Sequence, residues 1–158
     1  MELSKETINL LRKIEHWVAV QGQLAKRKGI ALKFIAPNIV IMVDADIRKL
    51  EQVFNNLVSN AIKFSYPESQ ITVTLTTENG FAVLGVKDQG IGMSPDQLDK
   101  LFKPFTRIAA EGTAGEKCTG LGLSIVKRIV DGHGGRIEVK SAPNQGSEFK
   151  VYLPIKDM

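Results

Sequence analysis

Glu51-Gln52-Val53-Phe54-Asn55-Asn56-Leu57-Val58-Ser59-Asn60-Ala61-Ile62-Lys63-Phe64 is the stretch whose reading decides the fold. Ile47, Leu50, Val53, Phe54, Leu57, Val58, Ala61 and Ile62 recur at three- and four-residue steps. That is the period of a helix with a broad apolar stripe turned to a core. Gln52, Asn56, Asn60 and Lys63 step by four, four and three, so they share a second stripe. Solvated helix faces usually carry Lys and Glu; this one carries amides and ends in a single cation. Asn costs roughly half a kcal/mol relative to Ala inside a helix, so Asn55, Asn56 and Asn60 together point to a use other than helix propensity. Amide oxygens are neutral ligands for a hard cation, and a Lys one turn on can meet phosphate. The alternative is a plain solvated polar face.

Working outward, 158 residues with 43% hydrophobic and 24% charged side chains fit one soluble domain with a short appendage. No apolar run is long enough to span a bilayer, and Met1-Glu2-Leu3-Ser4-Lys5 has no signal-peptide pattern. A single cysteine, Cys118, excludes an internal disulfide and fits a reducing compartment. The net charge of +4 is scattered, and its densest cluster, Lys26-Arg27-Lys28, has no interleaved aromatics. It reads as a solvated helix end rather than a nucleic-acid footprint.

Upstream, Ser4 to about Lys28 reads as a helix, with Leu3, Thr7, Leu10, Ile14, Trp17, Gln21 and Leu24 on a heptad seam. Either it packs on its own domain or it is the tail of a dimerising helix pair. Gly29 ends it. Ile30–Ile35 reads as a strand, and Ile39–Val43 as a second, more buried one. Asp44 or Asp46 caps the Asn-rich helix, which ends near Pro67. Downstream, Ile71–Thr76 and Phe81–Val86 form an antiparallel pair about the turn Glu78-Asn79-Gly80. Ser94-Pro95-Asp96-Gln97 opens a short helix with a capping box. Periodicity lapses from Thr106 to Cys118, a length typical of a lid or an insert, and resumes in a helix from Leu121 to Val130. Arg136–Lys140 and Ser147–Leu153 are the last strands. Helices interspersed with antiparallel strands give an α+β class, with helices on one face of a mixed sheet.

Two loops carry chemistry. Asp88, at the end of a strand and followed by Gly90 and Gly92, can accept a hydrogen bond from an amino group in a snug pocket. Adenine offers an exocyclic amine there, whereas guanine offers an oxygen that the carboxylate repels. An ordinary Asp-x-Gly turn is the other reading. Gly120 and Gly122 precede a helix, whose free N–H groups and dipole suit a phosphate.

The Asn-rich helix is followed in order by Asp88-Gln89-Gly90-Ile91-Gly92, Leu101-Phe102-Lys103-Pro104-Phe105, Thr119-Gly120-Leu121-Gly122-Leu123 and Gly146-Ser147-Glu148-Phe149. From about Gly29 to Pro154 the chain thereby resembles the catalytic ATP-binding domain of sensor histidine kinases, of the superfamily shared with DNA gyrases, mismatch-repair ATPases and some chaperones. The resemblance implies a two-layer α/β sandwich, the Bergerat ATP-binding fold, over residues 29–158, with residues 1–28 as a remnant of a dimerisation helix or linker. It implies ATP and Mg²⁺ as cofactors. Asn60 would bind the metal through its side-chain oxygen, with Asn56 in support. Lys63 would pair with phosphate, Phe64 would border the ribose and base, and Asp88 would read adenine in a loop shaped by Gly90 and Gly92. Phe102 and Phe105 would anchor the lid, and Arg107 would reach the phosphates. Thr119, Gly120, Leu121, Gly122 and Leu123 would hold the polyphosphate, and Ser147 would support the adenine end. Asn56, Lys63 and Arg107 would be the catalytic set.

Two departures from the family's pattern matter. Cys118 stands where the family usually has Gly, and the phosphoacceptor motif is absent, since His16 lies in Glu15-His16-Trp17-Val18. The resemblance implies partners: a histidine-bearing dimerisation domain of the same kinase and a response-regulator receiver domain, without nucleic acid or membrane contact from this segment. It also implies a cytoplasmic location. The superfamily's hydrolases place a Glu four residues before the metal-binding Asn, as general base; here that position is Asn56, whose amide cannot take a proton at neutral pH. The residues therefore favour phosphoryl transfer over hydrolysis by a stand-alone ATPase.

Overall fold

The computed structural model describes residues 1–103, 112–113 and 122–156. Within them the elements run β1 (Glu6–Asn9), α1 (Leu10–Arg27), β2 (Ala31–Ile35), β3 (Met42–Ala45), α2 (Ile47–Phe64), β4 (Gln70–Glu78), β5 (Phe81–Lys87), α3 (Pro95–Asp99), α4 (Gly122–Gly132), β6 (Arg136–Ser141) and β7 (Ser147–Pro154). The main sheet has the order β2-β4-β5-β7-β6. Its β2–β4 pair is parallel and the other pairs are antiparallel. A second, two-stranded sheet joins β1 and β3 antiparallel, with Glu6 opposite Ala45 and Asn9 opposite Met42.

The Asn-rich helix is α2, and it buries Leu50, Val53, Phe54, Leu57, Val58, Ala61 and Phe64. Burying each large apolar side chain contributes about 1.5–3 kcal/mol, far more than the three Asn cost in propensity. The helix therefore forms through packing and leaves its amide face available. Of the two candidate caps, Asp46 is the one used: its side chain accepts from the Lys49 N–H at 3.2 Å. The α2 helix packs between α1 and α4 over the sheet, with Trp17 of α1 set 5.8 Å from the Phe54 ring.

Two expectations are corrected. Residues 4–28 are not one helix, because Glu6–Asn9 is extended and the helix starts only at Leu10, capped by the Asn9 side chain. The β1 segment is drawn out by pairing with β3, a long-range interaction that local heptad spacing does not report. The second strand runs Met42–Ala45 rather than Ile39–Val43, and Ile39 and Val40 lie on the surface at 47% and 66% exposure. Leu10, Ile14, Trp17 and Gln21 of the seam are buried against this chain's own core, whereas Leu24 is exposed.

His133, just past α4, is buried. Its Nδ1 lies 2.8 Å from the Ile129 carbonyl, and its Nε2 accepts from the Asp46 N–H at 3.0 Å. A carbonyl only accepts and an N–H only donates, so the ring is neutral with its proton on Nδ1. It pins the end of α4 to the start of α2. Asp46 also accepts from the Ser4 N–H at 2.9 Å, which fastens the N-terminal segment to the same cap. Among the described residues no helix is long and apolar enough to cross a membrane.

Candidate functional site: a narrow pocket between β5, β7 and α2

Asp88 follows the series Ala82, Leu84 and Val86, the buried even positions of β5. The two-residue period of a strand sends its carboxylate to the same side, toward the helices. Ser147 lies opposite: β7 pairs with β5 through Glu148 and Lys87, and the Asp88 N–H donates to the Ser147 carbonyl at 2.9 Å. Asp88 is only 6% exposed. One oxygen, Oδ1, accepts from the Gly90 N–H at 2.9 Å and from the Ser147 N–H at 3.2 Å. The other, Oδ2, takes no hydrogen bond from the described residues. Burial pushes the Asp88 carboxyl above its ordinary value, against the pull of the Gly90 and Ser147 N–H groups.

The glycines make this approach possible. A Cβ on Gly90 would lie 1.9 Å from the Phe64 carbonyl oxygen, and one on Gly92, at φ +66°, would lie 1.9 Å from the Ala142 carbonyl oxygen. The Ile91 N–H donates to the Phe64 carbonyl at 3.0 Å, so the loop after Asp88 is stitched to the end of α2. Ser141 secures the far side, its hydroxyl accepting from the Met93 N–H at 2.8 Å and lying 2.8 Å from the Ser147 hydroxyl.

Asn60, Phe64, Asp88, Ile91, Gly92, Met93, Ser147 and Phe149 line one narrow cavity of about 10 Å³, room for roughly one water. Helix and strand residues read separately from the sequence, Asn60 and Phe64 with Asp88, Gly92 and Ser147, thus meet at one place. Asn60 and Lys63 are half-buried and make no side-chain hydrogen bond to the described residues. The Asn56 Nδ2 donates to the Gly122 carbonyl at 3.4 Å, holding the first turn of α4 beside the amide face. Leu123 packs in the apolar core, and Phe102 packs against it. Gly90 adjoins the cavity through Asp88 and Phe64. Phe105, Arg107, Cys118, Thr119, Gly120 and Leu121 lie outside the described residues.

Sequence reasoning missed three residues around this site. Met93 and Phe149 complete the cavity wall; Met93 carries no motif signature, and Phe149 closes the Gly146–Phe149 motif without having been given a role of its own. Lys28 reaches the end of α2 from the cap of α1, where a cluster of three basic residues reads only as a solvated end.

Among the described residues no cluster of three His, Cys, Asp or Glu side chains could hold a metal by itself. The donors present toward a cation are the amide oxygens of α2, a set that fits a hard ion arriving with substrate phosphates and keeping much of its water.

A family model described as histidine kinase-, DNA gyrase B-, and HSP90-like ATPase matches residues 45–157. Sensor histidine kinase ZraS of Escherichia coli (strain K12) is 36% identical over 153 residues, which cover 97% of this chain and 32% of ZraS. The chain thus spans about a third of the length of the curated relatives it matches. The catalytic domain of histidine kinase ThkA is 30% identical with a TM-score of 0.82, over 98% of this chain and 96% of that one. ThkA in complex with the response regulator protein TrrA aligns at 25% identity and TM-score 0.79, over 96% of this chain and 42% of that one. Full-length ShkA in complex with AMPPNP aligns at 27% identity and TM-score 0.85, over 100% of this chain and 32% of ShkA. With the strand order, the Asp88 loop and the amide face of α2, these likenesses show that the chain belongs to the histidine kinase-, DNA gyrase B- and HSP90-like ATPases, among the catalytic domains of histidine kinases.

Proposed function

We propose that this domain binds Mg·ATP and presents its γ-phosphoryl group to a histidine on a dimerisation domain of the same kinase, from which a response-regulator receiver domain takes it. The observation that carries the reading is the division of labour on Asp88. Its Oδ1 is taken by two backbone N–H groups, and its Oδ2 is left for one amino group in a cavity shared with Asn60 and Phe64. A carboxylate so placed selects adenine over guanine.

The polyphosphate then extends along the amide face of α2 toward Lys63 and the glycines at the start of α4. Asn60, supported by Asn56, would hold Mg²⁺ through its amide oxygen. The metal, when bound, neutralises charge on the transferring phosphoryl group. Lys63 and Arg107 supply further positive charge. Phosphoryl transfer needs mostly positioning and charge neutralisation, and these residues supply both. Ser147 fixes Asp88, and Phe102, packed against the core, anchors the chain after α3.

A stand-alone ATPase is not favoured. Asn56 occupies the position where a hydrolase needs its general base, and its amide is engaged with the Gly122 carbonyl. The domain works in the cytoplasm, where its ATP is. Calorimetric titration of the purified chain with Mg·ATP tests the reading. One saturable site per chain followed by a flat baseline is expected. A heat that persists with time means turnover to ADP and overturns the transferase reading; no heat at all overturns the site.

A further inference from the structure

Behind the cavity lies a pair of hydroxyl groups whose protons can be placed one by one. Ser141 ends β6 and Ser147 begins β7, and the two are register partners, so their side chains stand beside each other. The Ser141 hydroxyl meets three groups. The Met93 N–H donates to it at 2.8 Å, the Gly146 carbonyl accepts from it at 2.9 Å, and the Ser147 hydroxyl lies 2.8 Å away. A hydroxyl has one proton to give and two lone pairs to receive with. An N–H only donates, so Met93 occupies one lone pair of Ser141. A carbonyl only accepts, so Gly146 takes the Ser141 proton. What remains on Ser141 Oγ is its second lone pair, and Ser147 can meet that only as a donor. The Ser147 proton is therefore committed to Ser141. Ser147 is only 9% exposed and lines the cavity together with Asp88. Its oxygen keeps two lone pairs, and no donor among the described residues reaches them.

We infer that Ser141 is a positioning residue for base recognition: it holds the Ser147 hydroxyl as a pure acceptor, so that the cavity meets an exocyclic amine with two oxygens, Asp88 Oδ2 and Ser147 Oγ. The inference rests on the nucleotide reading of the site above. An adenine amine carries two N–H groups. Asp88 Oδ2 takes one, and Ser147 Oγ takes the other, directly or through a water. A base with a carbonyl at the same position brings an acceptor against two acceptors and is rejected twice. A serine without this relay would not discriminate, because a free hydroxyl rotates to donate to a carbonyl as readily as it accepts from an amine. The three contacts of Ser141 thus turn an adaptable residue into a selective one. Rejection by a buried polar group left without a partner is stronger than rejection by shape alone. Ser141 itself does not line the cavity and acts only through Ser147, Gly146 and Met93.

The test is calorimetric titration of the parent chain, Ser141→Ala, Ser141→Thr and Ser147→Ala with Mg·ATP and Mg·ITP. ITP keeps the ribose and phosphates; it replaces the amine by a carbonyl and carries a proton on the neighbouring ring nitrogen. Ser141→Ala releases the Ser147 proton, which can then go to the ITP carbonyl. The ratio of ATP to ITP affinity should fall about tenfold, from one hydrogen bond weakened and one gained. Ser141→Thr retains the hydroxyl and should restore most of the parent ratio. Ser147→Ala removes the acceptor while Ser141 keeps Met93 and Gly146, and it too should lower the ratio; it decides the question where Ser141→Ala does not fold. Equal losses for ATP and ITP in Ser141→Ala indicate general damage to the pocket and overturn the inference, as does a ratio that either alanine variant leaves unchanged. If the parent binds neither nucleotide, or binds ATP no better than ITP, the reading of Asp88 as the base selector fails together with this inference. If the parent prefers ATP and both alanine variants keep that preference, this inference alone fails.

Discussion

Asp88→Asn isolates base recognition from folding. In the parent, Oδ1 holds the Gly90 and Ser147 N–H groups at 2.9 and 3.2 Å, and Oδ2, which takes no hydrogen bond from the described residues, is the oxygen proposed to meet the adenine amine. Asparagine keeps one acceptor oxygen, and the two backbone donors hold that oxygen in place. The new NH₂ group is then turned to the position of Oδ2 and faces another amine. The charged hydrogen bond that is lost contributes about 1.5–3 kcal/mol, and the donor left facing a donor costs about 1–3 kcal/mol more. At about 1.4 kcal/mol per decade, adenine-nucleotide affinity should fall by roughly 10²- to 10³-fold. Stability should change little, because the amide keeps the backbone contacts and removes a charge that burial disfavours. Calorimetric titration with Mg·ATP and Mg·GTP, beside a thermal melt, reads both quantities. The ratio of ATP to GTP affinity should fall as well, since an amide NH₂ can donate to the guanine oxygen. A variant that melts like the parent and binds Mg·ATP within threefold of it refutes the assignment of Asp88 to the base.

Two further outcomes follow from the geometry. His133→Ala leaves the buried Asp46 N–H without its acceptor and should cost about 2 kcal/mol or more of unfolding free energy, read by urea denaturation; a loss under about 0.5 kcal/mol contradicts the pinning of α4 to α2. The Asp88 carboxyl, raised above its ordinary 3.8 by burial, binds its proton more tightly folded than unfolded, so the destabilisation from its ionised form is complete above its folded pKa and is relieved as pH falls through it. Asp46, held below 3.8 by the Ser4 N–H ahead of Lys49, works in the opposite sense: its stabilisation is present above the unfolded value and is lost as pH falls through the folded one. ATP affinity should therefore decline on acidification through the raised Asp88 value while the fold persists. Asp88→Asn, already weak, should show no such decline; a parent whose affinity is flat in pH until it unfolds contradicts this.

Local signals were legible and remote ones were not. The period of α2, the alternation that aims Asp88, and the capping box of Ser94 and Gln97 all lie within a few residues of sequence, and each has its expected form. The Asp88 loop could be read as a site because Gly90 and Gly92 are needed where the backbone approaches Phe64 and Ala142. By contrast, β1 is extended only because β3 lies beside it, and a heptad count over Thr7 and Leu10 mistakes it for helix. Val40 belongs to an apolar run and is nevertheless exposed, because the strand begins two residues later. The parallel pairing of β2 with β4 has no local signature at all. His133 sits among glycines and reads as a helix stop; its contact with Asp46 spans 87 positions. Lys28, whose ammonium reaches the Ile62 and Lys63 carbonyls 34 and 35 positions on, was obscured for the same reason.

The order of strands in the sheet also bears on when the domain becomes competent as it is made. The pocket is closed on one side by β7, whose Ser147 supplies both an N–H to Asp88 and the carbonyl that holds the Asp88 main chain. A ribosome delivers α2 and Asp88 long before it delivers β7. Until then the carboxylate has no partner across the sheet, and the amide face of α2 has no facing wall. The pocket is therefore complete only once nearly all of this domain has emerged and β7 has inserted between β5 and β6. On the proposed function, nucleotide binding would then report that β7 is in place.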